Sequence, residues 1–436
     1  YVVNLASLDA TAKTAKGNRR VIRILNLPIH MVHQIVAQSR QLWGRVVLVG
    51  SLALLGLVAA RLGAGFLPDR LTGSVQVASV DRLFDIISNS MLAVTTFSLT
   101  VMVSVYRSTS AQWTPRIHRL MLEDRTTQNT LAAFIGAYVY ATAGIVFRET
   151  GLFGADHAFL IFYLTVAVIG MVVVYIIRWT LHLQTFGSLI VTARQVEQIT
   201  ACRLQERLDL PCLGARPLDQ VPDGTHAVTA RTTGYVQFIY AEQLQQMALE
   251  ADVEVYVTRD VGSYVVTGDV VARLRGVMDD TGGIADAIVL GDLRSYEQDP
   301  RFGLLVLGEM ASKALSPGIN DPGTAIDVMA RLTKVLCLFQ AEKNCGADAQ
   351  CDRVYIRPLD AAELIQSGFG ALARDGAAII EVQLRLQAAL ASLQAHGDSE
   401  MQAAAKAFAA SELRRALSAL AFEGDRDRLK AHAGQS

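Results

Sequence analysis

Residues 86–106 read IISNSMLAVTTFSLTVMVSVY and carry no charged side chain. A helix of this length matches the ~20 residues needed to cross a hydrocarbon core of ~30 Å. The stretch is nevertheless rich in polar side chains: Ser88, Asn89, Ser90, Thr95, Thr96, Ser98, Thr100 and Ser104. Helical spacing places four of them on one face, which we call the polar stripe: Asn89, Thr96, Thr100 and Ser104. Arg107 continues this face beyond the stretch. We therefore expect a membrane-spanning helix whose polar stripe turns toward protein or water.

The composition favours a membrane protein over a soluble one. Of the 436 residues, 51% are hydrophobic and 19% are charged, whereas soluble domains contain about 25% charged residues. The formal net charge is -1, and no basic patch with interleaved aromatic residues predicts nucleic-acid binding. The five cysteines lack the second Cys or His pair of a zinc site, so we expect no metal. The spacing of Cys345 and Cys351 allows a disulfide in an oxidising compartment.

Apolar runs before residue 178 divide the chain into a membrane part and a remainder. Four transmembrane helices are predicted at 46–67, 86–106, 130–147 and 158–177. Small residues every four positions, Ala133, Ala137 and Ala141, predict close helix packing on the third. The other predicted segments are an amphipathic juxtamembrane segment at 1–45, a helical stalk at 178–210, a β module at 226–275 and a helical domain at 282–425. The expected fold class is a mainly α-helical membrane protein with a cytoplasmic α+β region.

The distribution of basic residues predicts the orientation. Arg107, Arg116, Arg119 and Arg125 follow the second span, whereas Arg148 is the one Arg or Lys between the third and fourth spans. Because cytoplasmic loops are enriched in Lys and Arg, both termini are expected in the cytoplasm.

After residue 226 the pattern becomes that of strands and short helices. Val253, Val255 and Val257 alternate with polar residues, as in a half-buried strand. The chain has no lysine between Lys16 and Lys313, which excludes a lipoyl or biotinyl carrier in this module. We therefore expect no cofactor.

A helix–turn–helix corner lies between two apolar helices near residues 316–324. Ser316 precedes Pro317, and Asn320 or Asp321 is suited to cap the helix that Pro322 begins. These residues are explained by capping alone. The alternative is an anion site at the new helix N-terminus, with Arg294 or Arg301 nearby. Both interpretations stay open at this point.

Residues 298–304, QDPRFGL, and 314–322, ALSPGINDP, followed by Thr324 and Ala325, form an extended motif. With Ser108–Arg119 and Gly234–Gln237, it resembles the pattern of the domain of unknown function 2254 family of bacterial membrane proteins. The resemblance covers roughly Val46–Leu420. It implies several spans in the inner membrane of a bacterium, followed by a cytoplasmic domain. It brings no activity, cofactor or catalytic residue.

Two classes of function fit these patterns. The first is a homo-oligomeric channel or permeation protein, with the polar stripe facing a central path and arginines at its mouth. The second is a membrane-anchored sensor or scaffold whose cytoplasmic domain binds a protein partner or a small ligand. We expect no enzymatic activity, because no nucleophile elbow, phosphate loop or metal-ligand spacing occurs. The charged residues clustered in this part of the sequence are expected to form ion pairs and caps: Arg294, Glu297, Asp299, Arg301, Glu309 and Asp321. We use the name corner motif for a structural set with a ligand site as the alternative: Arg294, Asp299, Arg301, Ser316, Asn320 and Asp321.

Overall fold

A computed structural model of the chain describes residues 42–63, 75–112, 114, 116–117, 124–341 and 349–435. Residues 1–41 of the predicted juxtamembrane segment and Cys345 of the predicted cysteine pair lie outside these residues. The chain divides into two compact units. The membrane unit takes residues up to Tyr106 together with Arg119–Phe186, and the C-terminal unit takes Arg107–His118 together with Gly187–Ser436.

Four helices of the described chain are long and apolar enough to cross a membrane. They are α1 (Leu42–Gly63), α2 (Val77–Gln112), α3 (Arg125–Glu149) and α4 (Ala158–Leu183). Helix α2 begins nine residues before the predicted span, although this first part contains charged side chains. One of them, Asp81, accepts a hydrogen bond of 2.9 Å from Nε of Arg148 on α3, which neutralises it at the helix end. An apolar run alone does not reveal such a pair.

Helix α3 forms the centre of the membrane unit. The predicted small-residue face is buried, with Ala133, Ala137 and Ala141 each at most 2% exposed. A side chain at Gly144 would overlap the ring of Phe84 from α2, so the missing Cβ lets this ring pack against α3. The buried Tyr140 hydroxyl lies 2.9 Å from the Thr165 hydroxyl of α4. Small residues and matched hydroxyl groups hold membrane helices together in this way.

The predicted continuous stalk is interrupted in the structure. Helix α4 ends at Leu183, and α5 (Leu189–Asp209) begins after a turn in which Gly187 has φ +83°. Glycine adopts this left-handed conformation without the steric cost that a Cβ brings. A continuous helix was predicted because residues 178–210 contain no proline. The turn at Gly187 nevertheless divides this stretch between two helices.

The C-terminal unit contains two small sheets. The strands are β1 (Ala215–Pro217), β2 (His226–Thr229), β3 (Gly234–Ile239), β4 (Glu254–Val257), β5 (Tyr264–Val265), β6 (Val270–Arg275), β7 (Ile288–Gly291) and β8 (Cys351–Ile356). One sheet has the order β1-β8-β4-β6-β2, and the other has the order β5-β3-β7. Strand β8 pairs in parallel with both β1 and β4, whereas β4 and β6 are antiparallel. The predicted β module is thus completed by strands on either side of 226–275.

Helix α6 (Ala241–Ala251) packs against the larger sheet, and its buried Leu244 and Ala248 join the sheet core. The short α7 (Gly282–Asp286) precedes β7. The remaining helices are α8 (Pro300–Ala314), α9 (Pro322–Leu336), α10 (Ala361–Asp375), α11 (Ile380–His396), α12 (Ser399–Ala419) and α13 (Glu423–Gln435). Apolar residues at helical spacing bury one face of α8, α9 and α10.

Two glycines let neighbouring helices approach α8 closely. A Cβ on Gly308 would lie 2.3 Å from the carbonyl oxygen of Gly368 in α10. A Cβ on Gly303 would collide with the side chain of Thr200 in α5. Helix α8 therefore occupies the centre of the helical part, and its N-terminus is held in a defined position next to the strands.

Candidate functional site

The polar stripe lies on the outside of the single chain. Its four residues, and Arg107 beyond them, are exposed: Asn89, Thr96, Thr100, Ser104 and Arg107. At 100° per residue they face away from the buried side of α2, which carries Phe84, Ile87 and Met91. The hydroxyls of Thr96 and Thr100 donate to carbonyl oxygens one turn earlier, at 2.8 and 2.9 Å. The Asn89 amide has no partner among the described residues.

The corner motif is divided between the two ends of α8. Ser316, Asn320 and Asp321 follow its C-terminus, whereas Arg294, Asp299 and Arg301 surround its N-terminus. A helix of 15 residues separates these groups by roughly 22 Å, so the six predicted residues do not form one site.

The C-terminal group has a structural role. The Ser316 hydroxyl donates to the Lys313 carbonyl oxygen at 2.7 Å, and Asn320 adopts a left-handed conformation with φ +51°. Asp321 caps α9 by accepting from the backbone N–H of Thr324 at 3.0 Å. Hydrogen bonds from both the side chain and the backbone N–H of Thr324 lower the pKa of Asp321. Capping accounts for this part of the motif.

At the N-terminal group, Asp299 is a buried cap. Its carboxylate accepts from the backbone N–H of Phe302 at 3.2 Å and from Nε of Arg294 at 2.6 Å. The Asp299 side chain is 1% exposed and Arg294 is 22% exposed, so the pair is largely shielded from water. The guanidinium of Arg294 also lies 5.4 Å from the ring centre of Phe302. A buried aspartate that caps a helix and binds an arginine holds that arginine in place.

Arg301 links the Asp299 cap to three charged residues that were not predicted from the sequence: Asp260, Arg357 and Glu363. Its guanidinium donates to Glu363 at 2.7 Å and to Asp260 at 3.5 Å. Arg357 completes the cluster, donating to Asp260 at 2.5 Å and to Glu363 at 2.8 Å. Burial raises the pKa of Glu363, but the hydrogen bonds from Arg357 and Arg301 outweigh it and the pKa is lowered. We call Asp260, Arg294, Asp299, Arg301, Arg357 and Glu363 the arginine–carboxylate cluster.

Gly262 makes room for the cluster. It has φ +88°, and a Cβ at this position would lie 2.1 Å from Oδ2 of Asp299 and 2.6 Å from Nε of Arg294. No other residue type fits here while the Arg294–Asp299 pair is in place.

A cleft of about 660 Å³ opens beside the cluster, and we call it the Arg294 cleft. Helices α10 and α12 provide an apolar wall of Ile365, Ala404, Ala407 and Phe408. The lining also contains polar side chains: Ser263, Arg294, Arg301, Glu363, Gln366 and Ser367. An apolar wall with a few converging polar groups is typical of a small-molecule site.

A second cleft of about 600 Å³ lies elsewhere in the C-terminal unit, and we call it the Arg385 cleft. It is lined by Ile326, Glu381, Leu384, Arg385, Ala388, Arg428, Ala431 and His432. None of the residues of the corner motif lines it. It therefore offers a useful comparison for experiments on the Arg294 cleft.

The segment Arg107–His118, which includes the end of α2, also belongs to the C-terminal unit. Arg116 of this segment forms an ion pair with Glu309 of α8. The same helix thus carries Asp299 and Arg301 at its N-terminal end and binds Arg116 through a residue farther along. Within the described ranges, no group of three His, Cys, Asp or Glu side chains is arranged to hold a metal ion.

Comparison with known proteins agrees with the four apolar helices. A model of predicted membrane proteins, the DUF2254 family, matches residues 39–392. Uncharacterized proteins of Mycobacterium tuberculosis and Mycobacterium bovis are 26% identical over 341 residues, which covers 71% of this chain and 61% of each relative. The chain thus spans less than two thirds of the length of these relatives. No solved structure matches it. The predicted family is confirmed, and the chain belongs to the DUF2254 family of predicted membrane proteins.

Proposed function

We propose that this protein is a membrane-anchored sensor that binds a small ligand in the Arg294 cleft. The observation that carries the proposal is the cleft of about 660 Å³, which is lined by apolar residues together with several hydrogen-bonded polar side chains. Ligand sites have volumes of about 300–1,000 Å³ and this mixed lining.

The cluster supports binding because its members are rigidly held. Asp299 caps α8 and binds Arg294, while Glu363 binds both Arg301 and Arg357. Side chains fixed by several partners lose little conformational entropy when a ligand arrives. The cleft carboxylate Glu363 is occupied by arginines, which favours a binding role over acid–base catalysis. We therefore keep the prediction that the protein is not an enzyme.

Helix α8 offers a route by which occupancy of the cleft reaches the membrane spans. Arg301 lies on its first turn, and Glu309 of the same helix pairs with Arg116 in the segment that follows α2. A ligand that shifts α8 would act on this ion pair, and through the chain on the end of a membrane helix. Such coupling requires a differential affinity of the ligand for two states of α8.

A homo-oligomeric permeation protein is a second candidate, favoured by Asn89. Its amide has no partner among the described residues and is exposed on a helix that enters the membrane. Leaving an amide without a hydrogen bond in an apolar medium costs roughly 2–7 kcal/mol, so water or a second copy would be favoured at this face. We further propose that the spans lie in the bacterial inner membrane with both termini in the cytoplasm. A cytoplasmic protein partner stays a prediction.

The test of the sensor uses the full chain in nanodiscs and a fragment set balanced between anionic, neutral and cationic compounds. Ligand-detected NMR is expected to find fragments that bind wild type and are lost in Ala404→Trp, because the indole fills the cleft. Ala388→Trp, which alters the Arg385 cleft, is the matched control and is expected to retain binding. If no fragment is sensitive to Ala404→Trp, the proposal is wrong.

The second candidate is tested with a photoreactive phenylalanine analogue at Thr100. Oligomerisation through the polar stripe predicts cross-linked dimers in membranes, and a control probe at the exposed Val174 of α4 should give few. Conductance of purified protein in planar bilayers then tests permeation directly. Cross-links equal to those of the control would exclude the polar stripe as a contact between copies.

A further inference from the structure

The Arg294 cleft has hydrogen-bond donors that no group in the described part of the chain uses. Nε of Arg294 donates to Asp299, but its two terminal Nη groups have no acceptor among the described residues. The Ser263 hydroxyl and the Gln366 amide also line the cleft without a partner in the described part of the chain. Arg294 is held by its Nε while the outer edge of its guanidinium stays available. This edge is the part that binds carboxylate or phosphate in a bidentate manner.

The carboxylate of Glu363 in the cleft is, in contrast, already occupied. Oε1 of Glu363 accepts from Arg357, and Oε2 accepts from Arg301 and Arg357. The Ser367 hydroxyl donates to the Glu363 carbonyl oxygen at 2.7 Å. The Glu363 carboxylate is therefore not available to a cationic ligand, which would also lie near Arg294 and Arg301. An anionic ligand, in contrast, could accept hydrogen bonds from the unused donors of the cleft.

The cleft is also lined by apolar residues. Phe408 is half-buried, and with Ile365, Ala404 and Ala407 it lines the side formed by α10 and α12. Water at such a wall is displaced favourably by an apolar body of matching size. A fully polar anion would leave this surface without a partner.

The geometry points to a small amphiphilic oxyanion as the ligand of the Arg294 cleft: a carboxylate or phosphate monoester with an apolar body. Its oxygens would accept from Nη1 and Nη2 of Arg294 and from Ser263, and its body would lie against Phe408. This inference rests on the proposed sensor function and names the class of compound that is sensed.

Four probes of one shape test the class: 4-phenylbutyrate, 4-phenylbutyl phosphate, 4-phenylbutanamide and 4-phenylbutylamine. Dissociation constants are measured by saturation-transfer NMR on the full chain in nanodiscs, with empty nanodiscs subtracted. At least one of the two anions is expected to bind about tenfold or more tightly than the amide and the amine. The order of the carboxylate and the phosphate ester distinguishes the two sources of the oxyanion.

Two substitutions test which side chains of the cleft bind the anion. Arg294→Lys keeps a positive charge beside Asp299 but loses the planar pair of Nη donors, so the anion affinity should fall about tenfold while the amide affinity is unchanged. Ser263→Ala leaves the ion pairs intact and should weaken the anion about fivefold. Arg385→Lys in the Arg385 cleft is the matched control and should have no effect.

The outcomes separate the two proposals. If the amide or the amine binds as tightly as the anions and is lost in Ala404→Trp, the cleft is a ligand site but the oxyanion class is wrong. If anion binding is unchanged in both Arg294→Lys and Ser263→Ala, the inference is also wrong. If none of the four probes is sensitive to Ala404→Trp, the inference fails, and the fragment screen decides the sensor function separately.

Discussion

Replacing Gly262 with alanine should disrupt the Arg294–Asp299 pair directly. The new Cβ would lie 2.1 Å from Oδ2 of Asp299 and 2.6 Å from Nε of Arg294. Asp299 is fixed as the cap of α8, so it cannot move away without losing its bond to Phe302 N–H. We expect the variant to lose the charge-assisted hydrogen bond of 2.6 Å between these residues.

Two terms contribute to the expected cost. Alanine in a left-handed conformation at φ +88° costs about 1–3 kcal/mol. Loss of a hydrogen bond between charged groups adds about 1.5–3 kcal/mol. Gly268 separates the terms because it has φ +94° and no atom within 4 Å of an added Cβ. Gly268→Ala should show only the first cost.

The labelling rates of two buried cysteines measure the difference in local stability between Gly262→Ala and Gly268→Ala. Cys212 and Cys351 are 0% and 2% exposed and belong to the same apolar core as Val261, the neighbour of Gly262. Their labelling rates, followed by mass spectrometry on the native protein, measure local opening. The second term predicts labelling roughly 10- to 150-fold faster in Gly262→Ala than in Gly268→Ala. Equal rates in the two variants would refute a role of Gly262 in housing the ion pair.

The remaining predictions concern other parts of the C-terminal unit. Gly308→Ala should destabilise the packing of α8 on α10 by about 1–3 kcal/mol, because its Cβ meets a backbone carbonyl; unchanged hydrogen exchange in α8 and α10 would contradict this. Burial raises the pKa of Glu197, but hydrogen bonds from Lys334 and Arg331 lower it below its ordinary value of 4.5. The stability that these ion pairs provide is therefore present above pH 4.5 and is lost as the pH falls through the lowered pKa. Wild type and Glu197→Gln should differ most in unfolding midpoint near neutral pH and converge in acid, whereas a constant difference would show that the charge plays no part.

The membrane part was predictable from local sequence, apart from its boundaries. Four long apolar runs correspond to four helices because each run spans a bilayer without needing a distant partner. The early start of α2 was not predictable, since it depends on Asp81 meeting Arg148, 67 residues later. The interruption at Gly187 was missed because a helical apolar stripe continues across it.

The strands and the site show the same division between local and distant information. Alternation of Val253, Val255 and Val257 predicted strand β4, but its pairing with β8 joins residues about a hundred positions apart. The corner motif pointed to Arg294 and Asp299 because capping and charge are visible locally. The other half of the cluster, Asp260, Arg357 and Glu363, comes from three separate elements. Neither a spacing nor a composition marks these residues in advance.

The central claim is that an amphiphilic oxyanion binds in the Arg294 cleft, and photolabelling with 4-benzoylbenzoate tests it most directly. The probe is irradiated with the full chain in nanodiscs, and the modified peptides are identified by mass spectrometry. We predict adducts within 362–367 of α10 and 404–408 of α12 that are suppressed by excess 4-phenylbutyrate and by Ala404→Trp. Adducts confined to α1–α4 or to the Arg385 cleft, and undiminished in Ala404→Trp, would contradict the claim.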